Sequence, residues 1–232
     1  MYMNTLRAIL FDLDGVLWNS SAAHEEAFQQ VFHTAGIPPI RSYAKIAGMR
    51  TEEAIAVHLT SCGISADSEK VRELSLAKRE LTPSLLEAKA ELAPCLLEIL
   101  QGLYSQHKLA LCSSASPQTI ECFLKKSSCG EFFSAIISGL DVKRAKPAPD
   151  IFLFGAHLLA SNTKETLVVE DSVAGITAGI SAGMSVLGIG EEALSVKGTS
   201  GVVGVLPNIS YLTAWFDGRL RVGEDNVFGY SV

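Results

Sequence analysis

The sequence predicts an α/β fold, a doubly wound, Rossmann-like parallel sheet with an all-helical cap domain inserted into it. Short apolar segments alternate with helical patterns through residues 94–189, and this alternation is typical of a parallel sheet covered by helices on both faces. A purely helical block, residues 19–90, interrupts the alternation after the first strand. We therefore predict a core domain of residues 1–18 and 91–232 and a helical cap of residues 19–90.

The predicted first strand, Ala8-Ile9-Leu10-Phe11, leads into two aspartates, Asp12 and Asp14, which are followed by Gly15. A short apolar run bounded by a turn signal is typical of a buried strand. Because ligands of open α/β sheets bind at the carboxyl ends of the strands, the aspartates lie where a site is expected. Aspartate and glycine also favour ordinary turns, so this stretch alone leaves two interpretations open, a site or a solvated turn.

Three helical patterns make up the predicted cap. The first ends at Gly36, the second begins with Thr51 as its N-cap, and the third begins at Asp67. Threonine and aspartate favour N-caps because their side-chain oxygens accept hydrogen bonds from the free N–H groups of the first turn. Pro83 is expected to break or kink the third helix, since proline has no N–H to donate. Helical composition then continues to Leu92.

Four apolar segments after the cap predict further strands, residues 109–112, 135–137, 166–169 and 185–189. Polar residues follow the first three of them: the serines of segment 113–116, then Lys146, then Glu170 and Asp171. The carboxyl ends of parallel strands lie at the same edge of a sheet. We therefore expect these side chains to meet Asp12 and Asp14.

This set of side chains indicates a metal and a phosphate group. Converging carboxylates repel one another, and a hard divalent cation such as Mg²⁺ offsets the repulsion. A lysine and a hydroxyl beside the cation suit the oxygens of a phosphate. The sequence therefore predicts Mg²⁺ as the cofactor and a small-molecule phosphoester as the substrate.

Composition argues against several other classes of function. The net charge is −6, and the basic residues are scattered except for residues 143–146, so no nucleic-acid partner is expected. The five cysteines form no C-x-x-C pair, which favours reduced thiols and a cytoplasmic location. No signal-peptide pattern is visible, and the uncharged segment 172–190 divides into a helix and a strand, so no membrane association is expected. The lack of an exposed apolar stripe favours a monomer.

Four motifs, each at a predicted strand end, resemble those of the haloacid dehalogenase superfamily of aspartate-nucleophile phosphotransferases. They are FDLDGVL at 11–17, SASP at 114–117, KPAPD at 146–150 and VEDSVAG at 169–175. The resemblance extends from about residue 7 to residue 189. The helical insertion, together with the K-P-x-P and E-D-S motifs, resembles the group of β-phosphoglucomutase and phosphoglycolate phosphatase.

The resemblance implies a role for each acidic residue. Asp12 is the expected nucleophile, which attacks phosphorus and forms an aspartyl-phosphate. Asp14 is the expected general acid that protonates the leaving oxygen and then the base that activates water. Mg²⁺ is expected on Asp12, the backbone carbonyl of Asp14, Glu170 and Asp171.

The resemblance also implies that Lys146 and the Ser114 hydroxyl hold the phosphoryl oxygens and stabilise the charge of the transition state. The serine assignment is ambiguous by one position, because Ser113 is the residue that ends the strand, whereas the S-x-S-P pattern favours Ser114.

Four further residues are candidates for substrate binding: Arg50, Gly48, His24 and Ser116. Arg50, with Gly48 before it, resembles a cap-loop arginine that contacts the distal part of the substrate; the alternative is a solvated arginine at a helix start. His24 is either a hinge histidine near the acid or a surface histidine. Ser116 either binds substrate or caps the following helix.

We expect a Mg²⁺-dependent phosphatase that hydrolyses a sugar phosphate or a phosphoglycolate-like metabolite. The alternative is a phosphomutase of the β-phosphoglucomutase type, which passes the phosphoryl group to a sugar hydroxyl instead of water. Glu80 stands where the mutase pattern has a basic residue, which favours the phosphatase. A catalytically silent binding domain is a third hypothesis, because a fold does not fix a function. Turnover of a phosphoester distinguishes it from the other two.

Overall fold

The computed structural model describes residues 5–218 of the chain. The strands are β1 Ala8–Phe11, β2 Trp18–Asn19, β3 Glu91–Leu92, β4 Lys108–Cys112, β5 Phe133–Ile137, β6 Thr166–Glu170, β7 Ser185–Ile189 and β8 Val202–Leu206. The α-helices are α1 Ser21–Thr34, α2 Thr51–Ser61, α3 Ser68–Lys89, α4 Leu96–Tyr104, α5 Pro117–Ser127, α6 Asp150–Leu158, α7 Val173–Ser181 and α8 Leu212–Phe216.

Six strands form one parallel sheet in the order β5-β4-β1-β6-β7-β8. The first strand lies in the interior of this sheet, between β4 and β6, and all four of its residues are buried. Its apolar sequence therefore has no polar face, as expected for a parallel strand covered on both sides. This confirms the predicted α/β class with a doubly wound sheet.

Helices cover both faces of the sheet. Ile9 and Phe11 of β1 pack in one apolar cluster with α4 and α5. Ala8 and Leu10, which point to the opposite face, pack in a second cluster with α6 and α7. The period of two along the strand thus assigns alternate residues to two separate cores.

The cap contains α1, α2 and α3 and has an apolar core of its own, formed by Phe28, Val31, Phe32, Ile37, Ile40, Ile46, Ala54, Ile55, Leu59 and Leu74. The chain leaves the core domain through β2 and returns through β3. These two strands pair antiparallel, with Trp18 opposite Leu92 and Asn19 opposite Glu91. The predicted limits of the cap, residues 19 and 90, lie at this two-stranded hinge.

Several predicted element boundaries are wrong. The third cap helix does not break at Pro83, because α3 runs without interruption from Ser68 to Lys89 and packs its buried residues, among them Leu74 and Leu86, against the rest of the protein. Packing of this kind outweighs the loss of one helical hydrogen bond. Leu92 belongs to β3 and not to a helix.

Two other local differences concern a helix start and a missed strand. The N-cap of α2 is Arg50, and Thr51 is its first helical residue. Strand β8 was not predicted, although it supplies the last position of the sheet. Its sequence, VVGVL, is short and contains a glycine, so local pattern alone did not distinguish it from a loop.

No helix among residues 5–218 is long and apolar enough to cross a membrane. The uncharged segment 172–190 contains α7 and β7. This agrees with the predicted division into a helix and a strand.

The cap core yields a stability prediction. Leu59 on α2 is fully buried, whereas Val57 on the same helix is 46% exposed. Leu59→Ala leaves a cavity in the cap, so we expect a loss of about 2–5 kcal/mol in the free energy of unfolding. Val57→Ala is the matched control, with an expected change within about 0.5 kcal/mol. Urea denaturation followed by circular dichroism measures both, and equal effects of the two substitutions would contradict the assigned cap core.

Candidate active site

The predicted polar residues meet at the carboxyl edge of the sheet. Asp12 follows β1, and its N–H donates to the carbonyl of Val169 on β6 at 3.0 Å. Glu170 is the last residue of β6 and is fully buried. Lys146 reaches the same point from the loop between β5 and α6, and it is 2% exposed.

Lys146 joins two of the carboxylates. Its ammonium group donates to Oδ1 of Asp12, to Oε1 of Glu170 at 2.8 Å and to the backbone carbonyl of Cys112 at 3.1 Å. Burial opposes the charge of the ammonium, but Asp12 and Glu170 outweigh this effect and hold the pKa of Lys146 above its usual value. The lysine is therefore a fixed cation at the base of the site.

Three carboxylates form a candidate metal centre. One oxygen from each of Asp12, Glu170 and Asp171 lies within 4.8 Å of the others. Burial raises the pKa of Asp12 to about 7, against the opposing effect of Lys146. Burial, with the charges of Glu170 and Asp12 beside it, also raises the pKa of Asp171 well above its usual value. One lysine does not offset three carboxylates, of which Asp12 and Glu170 are buried and Asp171 is half-buried, and all-oxygen donors of this type suit a hard cation such as Mg²⁺.

Two glycines leave room for these carboxylates. A Cβ atom on Gly15 would lie 1.8 Å from Oδ2 of Asp171, and a Cβ on Gly175 would lie 1.7 Å from Oε1 of Glu170. Gly15 also has a φ of +80°, which favours glycine. Neither position accommodates a side chain without displacing a member of the carboxylate cluster.

The second oxygen of Glu170 is held by Ser172, whose backbone N–H and hydroxyl donate to Oε2 at 2.7 and 3.0 Å. The Ser172 hydroxyl also accepts from the N–H of Gly175 at 3.1 Å and so caps α7. The cap domain approaches at this point, because a Cβ atom on Gly48 would lie 2.6 Å from the Ser172 hydroxyl. Gly48 therefore lies at the junction of cap and site.

Asp14 occupies a different environment from Asp12. Its Oδ1 accepts hydrogen bonds from the indole Nε1 of Trp18 at 2.9 Å, from the Ser20 hydroxyl, and from Nε2 of His24 at 3.2 Å. Burial acts to raise the pKa of Asp14, but His24 and these hydrogen bonds outweigh it and hold the pKa below the usual range. The two aspartates, two positions apart, thus have pKa values shifted in opposite directions.

His24 connects Asp14 to the cap. Its Nδ1 accepts from the ammonium of Lys78 at 2.9 Å, so the proton of the neutral ring lies on Nε2, which donates to Asp14. Burial and the neighbouring Lys78 lower the pKa of His24, in agreement with a neutral ring. Burial also lowers the pKa of Lys78 to about 8. His24, predicted as either a hinge or a surface residue, is buried at the hinge side of the site.

The serines lie along one side of the site. Ser113 is 1% exposed, and its hydroxyl accepts from the N–H of Ala115 at 3.0 Å. Ser114 is partly exposed, and both serines line the same cavity as Asp12. Ser116 caps α5 by accepting from the N–H of Thr119 at 3.3 Å, and it lines the cavity as well. Its two predicted roles are therefore compatible.

Arg50 lies outside this group. Its guanidinium donates to the backbone carbonyls of Val142 at 2.6 Å and Lys143 at 3.3 Å, and these belong to the core loop that carries Lys146. The structure thus places Arg50 as a bridge between cap and core, where it lines a smaller cavity with Ser114 and Ser116 and not the cavity beside Asp12. Glu80 is exposed on α3 and does not line that cavity.

The cavity between cap and core has a volume of about 40 Å³, room for only a few water molecules. Its lining includes cap residues that were not predicted as site residues, namely Phe28, Tyr43, Ile46, Met49, Thr51, Lys78, Arg79 and Thr82. These residues lie on cap helices and in the loop before α2, so their positions depend on how the cap packs. The nearest sequence signal is Glu80, which directly follows Lys78 and Arg79 and stands where the mutase pattern has a basic residue.

Comparison with known proteins gives a family match. The model of the haloacid dehalogenase-like hydrolase family matches residues 9–189. A phosphorylated carbohydrates phosphatase of Thermotoga maritima is 28% identical over 77% of this chain and 82% of its own length. A β-phosphoglucomutase of Bacillus subtilis is also 28% identical, over 80% of this chain and 84% of its own length.

Solved structures share the fold. The crystal structure of a β-phosphoglucomutase from Clostridium difficile has a TM-score of 0.78 with 24% identity, and the match covers 92% of this chain and 98% of that one. At this level of identity, the likeness supports the architecture of core and cap.

The raised pKa of Asp12 yields a prediction for the metal-free protein. Because its pKa is about 7 in the folded protein against 3.8 ordinarily, folding favours the protonated carboxyl. The wild type therefore loses stability as the pH rises from about 4 through about 7. Asp12→Asn removes this loss, so in EDTA the stability of the variant relative to wild type should increase by about 3 kcal/mol between pH 5 and pH 8.

Urea unfolding at the two pH values measures this difference. Glu98→Gln, which changes an exposed carboxylate on α4, is the control, and its stability relative to wild type should not change with pH. A pH-independent difference for Asp12→Asn would contradict the raised pKa.

Proposed function

The chain belongs to the haloacid dehalogenase-like hydrolase family, and we propose that it is a Mg²⁺-dependent phosphatase of small phosphorylated metabolites such as sugar phosphates. The observation that carries this proposal is the cluster of buried Asp12, Lys146 and Glu170 with half-buried Asp171, and with Asp14 beside it. Relatives named as a phosphorylated carbohydrates phosphatase and a 6-phosphogluconate phosphatase support the substrate class. A cytoplasmic location and a monomeric state stay predictions.

Asp12 is the proposed nucleophile. Its Oδ1 is bound by Lys146, so this oxygen is fixed while the other is directed to the phosphorus atom. Attack forms an Asp12–phosphate bond and breaks the bond between phosphorus and the ester oxygen. Lys146, already desolvated, holds the charge on the carboxylate and on the phosphoryl oxygens without reorganisation.

Mg²⁺ would be held by Asp12, Asp171, Glu170 and the backbone carbonyl of Asp14. When bound, it supplies positive charge that offsets the carboxylates and the phosphate oxygens. The fit rests on the three carboxylate oxygens within 4.8 Å of one another and on the pKa of Asp171, raised by burial and the neighbouring acids.

Asp14 is the proposed acid and base. It protonates the leaving oxygen as the ester bond breaks, and it then removes a proton from the water that hydrolyses the aspartyl-phosphate. Ser114 is the proposed donor to a phosphoryl oxygen, because it lines the cavity and is more exposed than Ser113. The Ser113 hydroxyl already accepts from the backbone of Ala115.

The cap must move for a substrate to enter, because a cavity of about 40 Å³ does not admit a sugar phosphate. Arg50 and Lys78 both act at the cap–core junction, through the carbonyls of the Lys146 loop and through His24 respectively. Closure excludes water while it completes the contacts around Asp14. The same small cavity favours the alternative, a phosphomutase, since a mutase must keep water from its phospho-enzyme.

Activity tests the proposal directly. We expect Mg²⁺-dependent release of inorganic phosphate from one or a few members of a panel of sugar and carboxylate phosphoesters, and none in EDTA. Asp12→Asn should lower turnover by at least about 10³-fold, because the amide is not a nucleophile. Glu98→Gln, an exposed control, should retain wild-type activity.

Other outcomes identify the competing hypotheses. Formation of glucose 6-phosphate from β-glucose 1-phosphate with a bisphosphate primer, without phosphate release, would identify a mutase. An absence of both reactions, with Asp12→Asn unchanged in all properties, would overturn the enzyme proposal in favour of a binding domain.

The metal assignment has its own test. Asp171→Asn weakens a proposed ligand without touching the nucleophile, so the Mg²⁺ concentration for half-maximal activity should rise by about 10-fold or more. The turnover at saturating Mg²⁺ should fall much less than in Asp12→Asn. An unchanged Mg²⁺ titration would exclude Asp171 as a ligand.

A further inference from the structure

Trp18 lies between the hinge and the proposed acid. It is the first residue of β2, it is 1% exposed, and its ring packs edge-on against Phe123 of α5, with ring centroids 5.4 Å apart. The turn between Asp14 and Trp18 is closed by a backbone hydrogen bond, in which the N–H of Gly15 donates to the carbonyl of Trp18 at 2.9 Å. The core domain thus holds both the ring of Trp18, through Phe123, and its backbone, through Gly15.

The indole N–H donates a hydrogen bond to one oxygen of Asp14. Nε1 of Trp18 donates to Oδ1 at 2.9 Å, and the donors from Ser20 and His24 converge on the same oxygen. Among residues 5–218, the side-chain donors to Asp14 therefore all bond Oδ1 and not Oδ2. The other oxygen, Oδ2, is the one left for the reaction.

Trp18 differs chemically from the other two donors. A hydroxyl rotates and both donates and accepts, and the Nε2 proton of His24 depends on Lys78 donating to Nδ1, but an indole N–H only donates. A proton on Oδ1 would have to displace one of the three donors, and the indole N–H cannot reverse its direction. With Trp18 in place, the proton of Asp14 is therefore favoured on Oδ2.

We propose that Trp18 is a positioning residue that directs the proton of Asp14 to Oδ2, from which it passes to the leaving oxygen. The inference rests on the proposed phosphatase function. In the step it governs, the bond between phosphorus and the ester oxygen breaks, the Oδ2–H proton moves to that oxygen, and the alcohol leaves. Trp18 itself exchanges no proton and touches no substrate.

The test compares two leaving groups. Trp18→Phe keeps an aromatic ring against Phe123 and removes the N–H. For an alkyl phosphomonoester that the wild type hydrolyses, such as a sugar phosphate, we expect kcat to fall about 10-fold or more with KM nearly unchanged. For p-nitrophenyl phosphate, whose leaving group needs no proton, we expect a fall of less than about 3-fold.

Two further proteins separate positioning from packing. Trp215→Phe makes the same change at the remaining tryptophan, on α8, and should leave both substrates unaffected. In that background, β-(3-benzothienyl)alanine at position 18 replaces the indole N–H by sulfur at nearly constant shape, and it should reproduce the selective loss even where Trp18→Phe folds poorly. Equal losses on the two substrates would indicate a packing role and overturn the proposal.

The hydrogen bond from Trp18 to Asp14 can also be measured without an activity assay. In the Trp215→Phe background, one indole N–H resonance remains, and it should shift markedly in Asp14→Ala. An unmoved resonance would overturn the proposal whatever the enzyme does. If the wild type hydrolyses neither ester, the phosphatase function is refuted, and the inference with it. If the wild type hydrolyses both esters and Trp18→Phe lowers the two rates equally, the inference alone is refuted.

Discussion

The site depends on the burial of Lys146 between Asp12 and Glu170. Transferring an ammonium group and two carboxylates out of water is costly, and only close pairing with further hydrogen bonds offsets the cost. The contacts to Glu170 and to the Cys112 carbonyl, at 2.8 and 3.1 Å, supply that pairing. They also fix the loop between β5 and α6 against β4 and β6, so the geometry of the site and the packing of the sheet depend on the same side chain.

The two aspartates show how environment divides roles between identical side chains. Asp12, buried beside other acids, has a pKa raised to about 7, whereas the pKa of Asp14 is held low by His24, Ser20 and Trp18. Titratable groups whose pKa values are pushed apart are typical of acid–base pairs. In the free protein this low pKa keeps Asp14 a carboxylate, the form that activates water in the proposed mechanism. A phosphate group bound nearby adds negative charge and raises its pKa, which favours the acid form when a substrate is present.

The cap and the site are physically coupled at separate places. His24 forms hydrogen bonds with both Lys78 and Asp14. Gly48 lies against Ser172, and Arg50 bonds the loop that contains Lys146. Opening of the cap, which the proposed function requires, would therefore disturb the surroundings of Asp14, the second oxygen of Glu170 and the lysine loop together. In the proposed phosphatase, access of substrate and completion of the site are consequently parts of one movement.

The residues at the strand ends could be predicted because their signal is local. An apolar run that stops at Asp12, and another that stops at Glu170, are visible in the sequence, and parallel strands bring their carboxyl ends to one edge. The boundaries were less predictable, as Pro83 shows, since the propensity of one residue is outweighed by the packing of a long helix whose partners lie elsewhere in the chain.

By itself, the sequence determined the alternating core, the helical insertion, and the acids, lysine and serines that meet at the sheet edge. The tertiary structure alone decided which distant side chains meet: Lys78 of α3 bonds His24 of α1 within the cap, and Arg50 of the cap bonds a core loop. The physical reason is the separation of the partners along the chain. Strand patterns depend on neighbouring residues, whereas the partners of Lys78 and Arg50 lie 54 and 92 positions away. Which residues share a site at such distances depends on how the cap packs against the core.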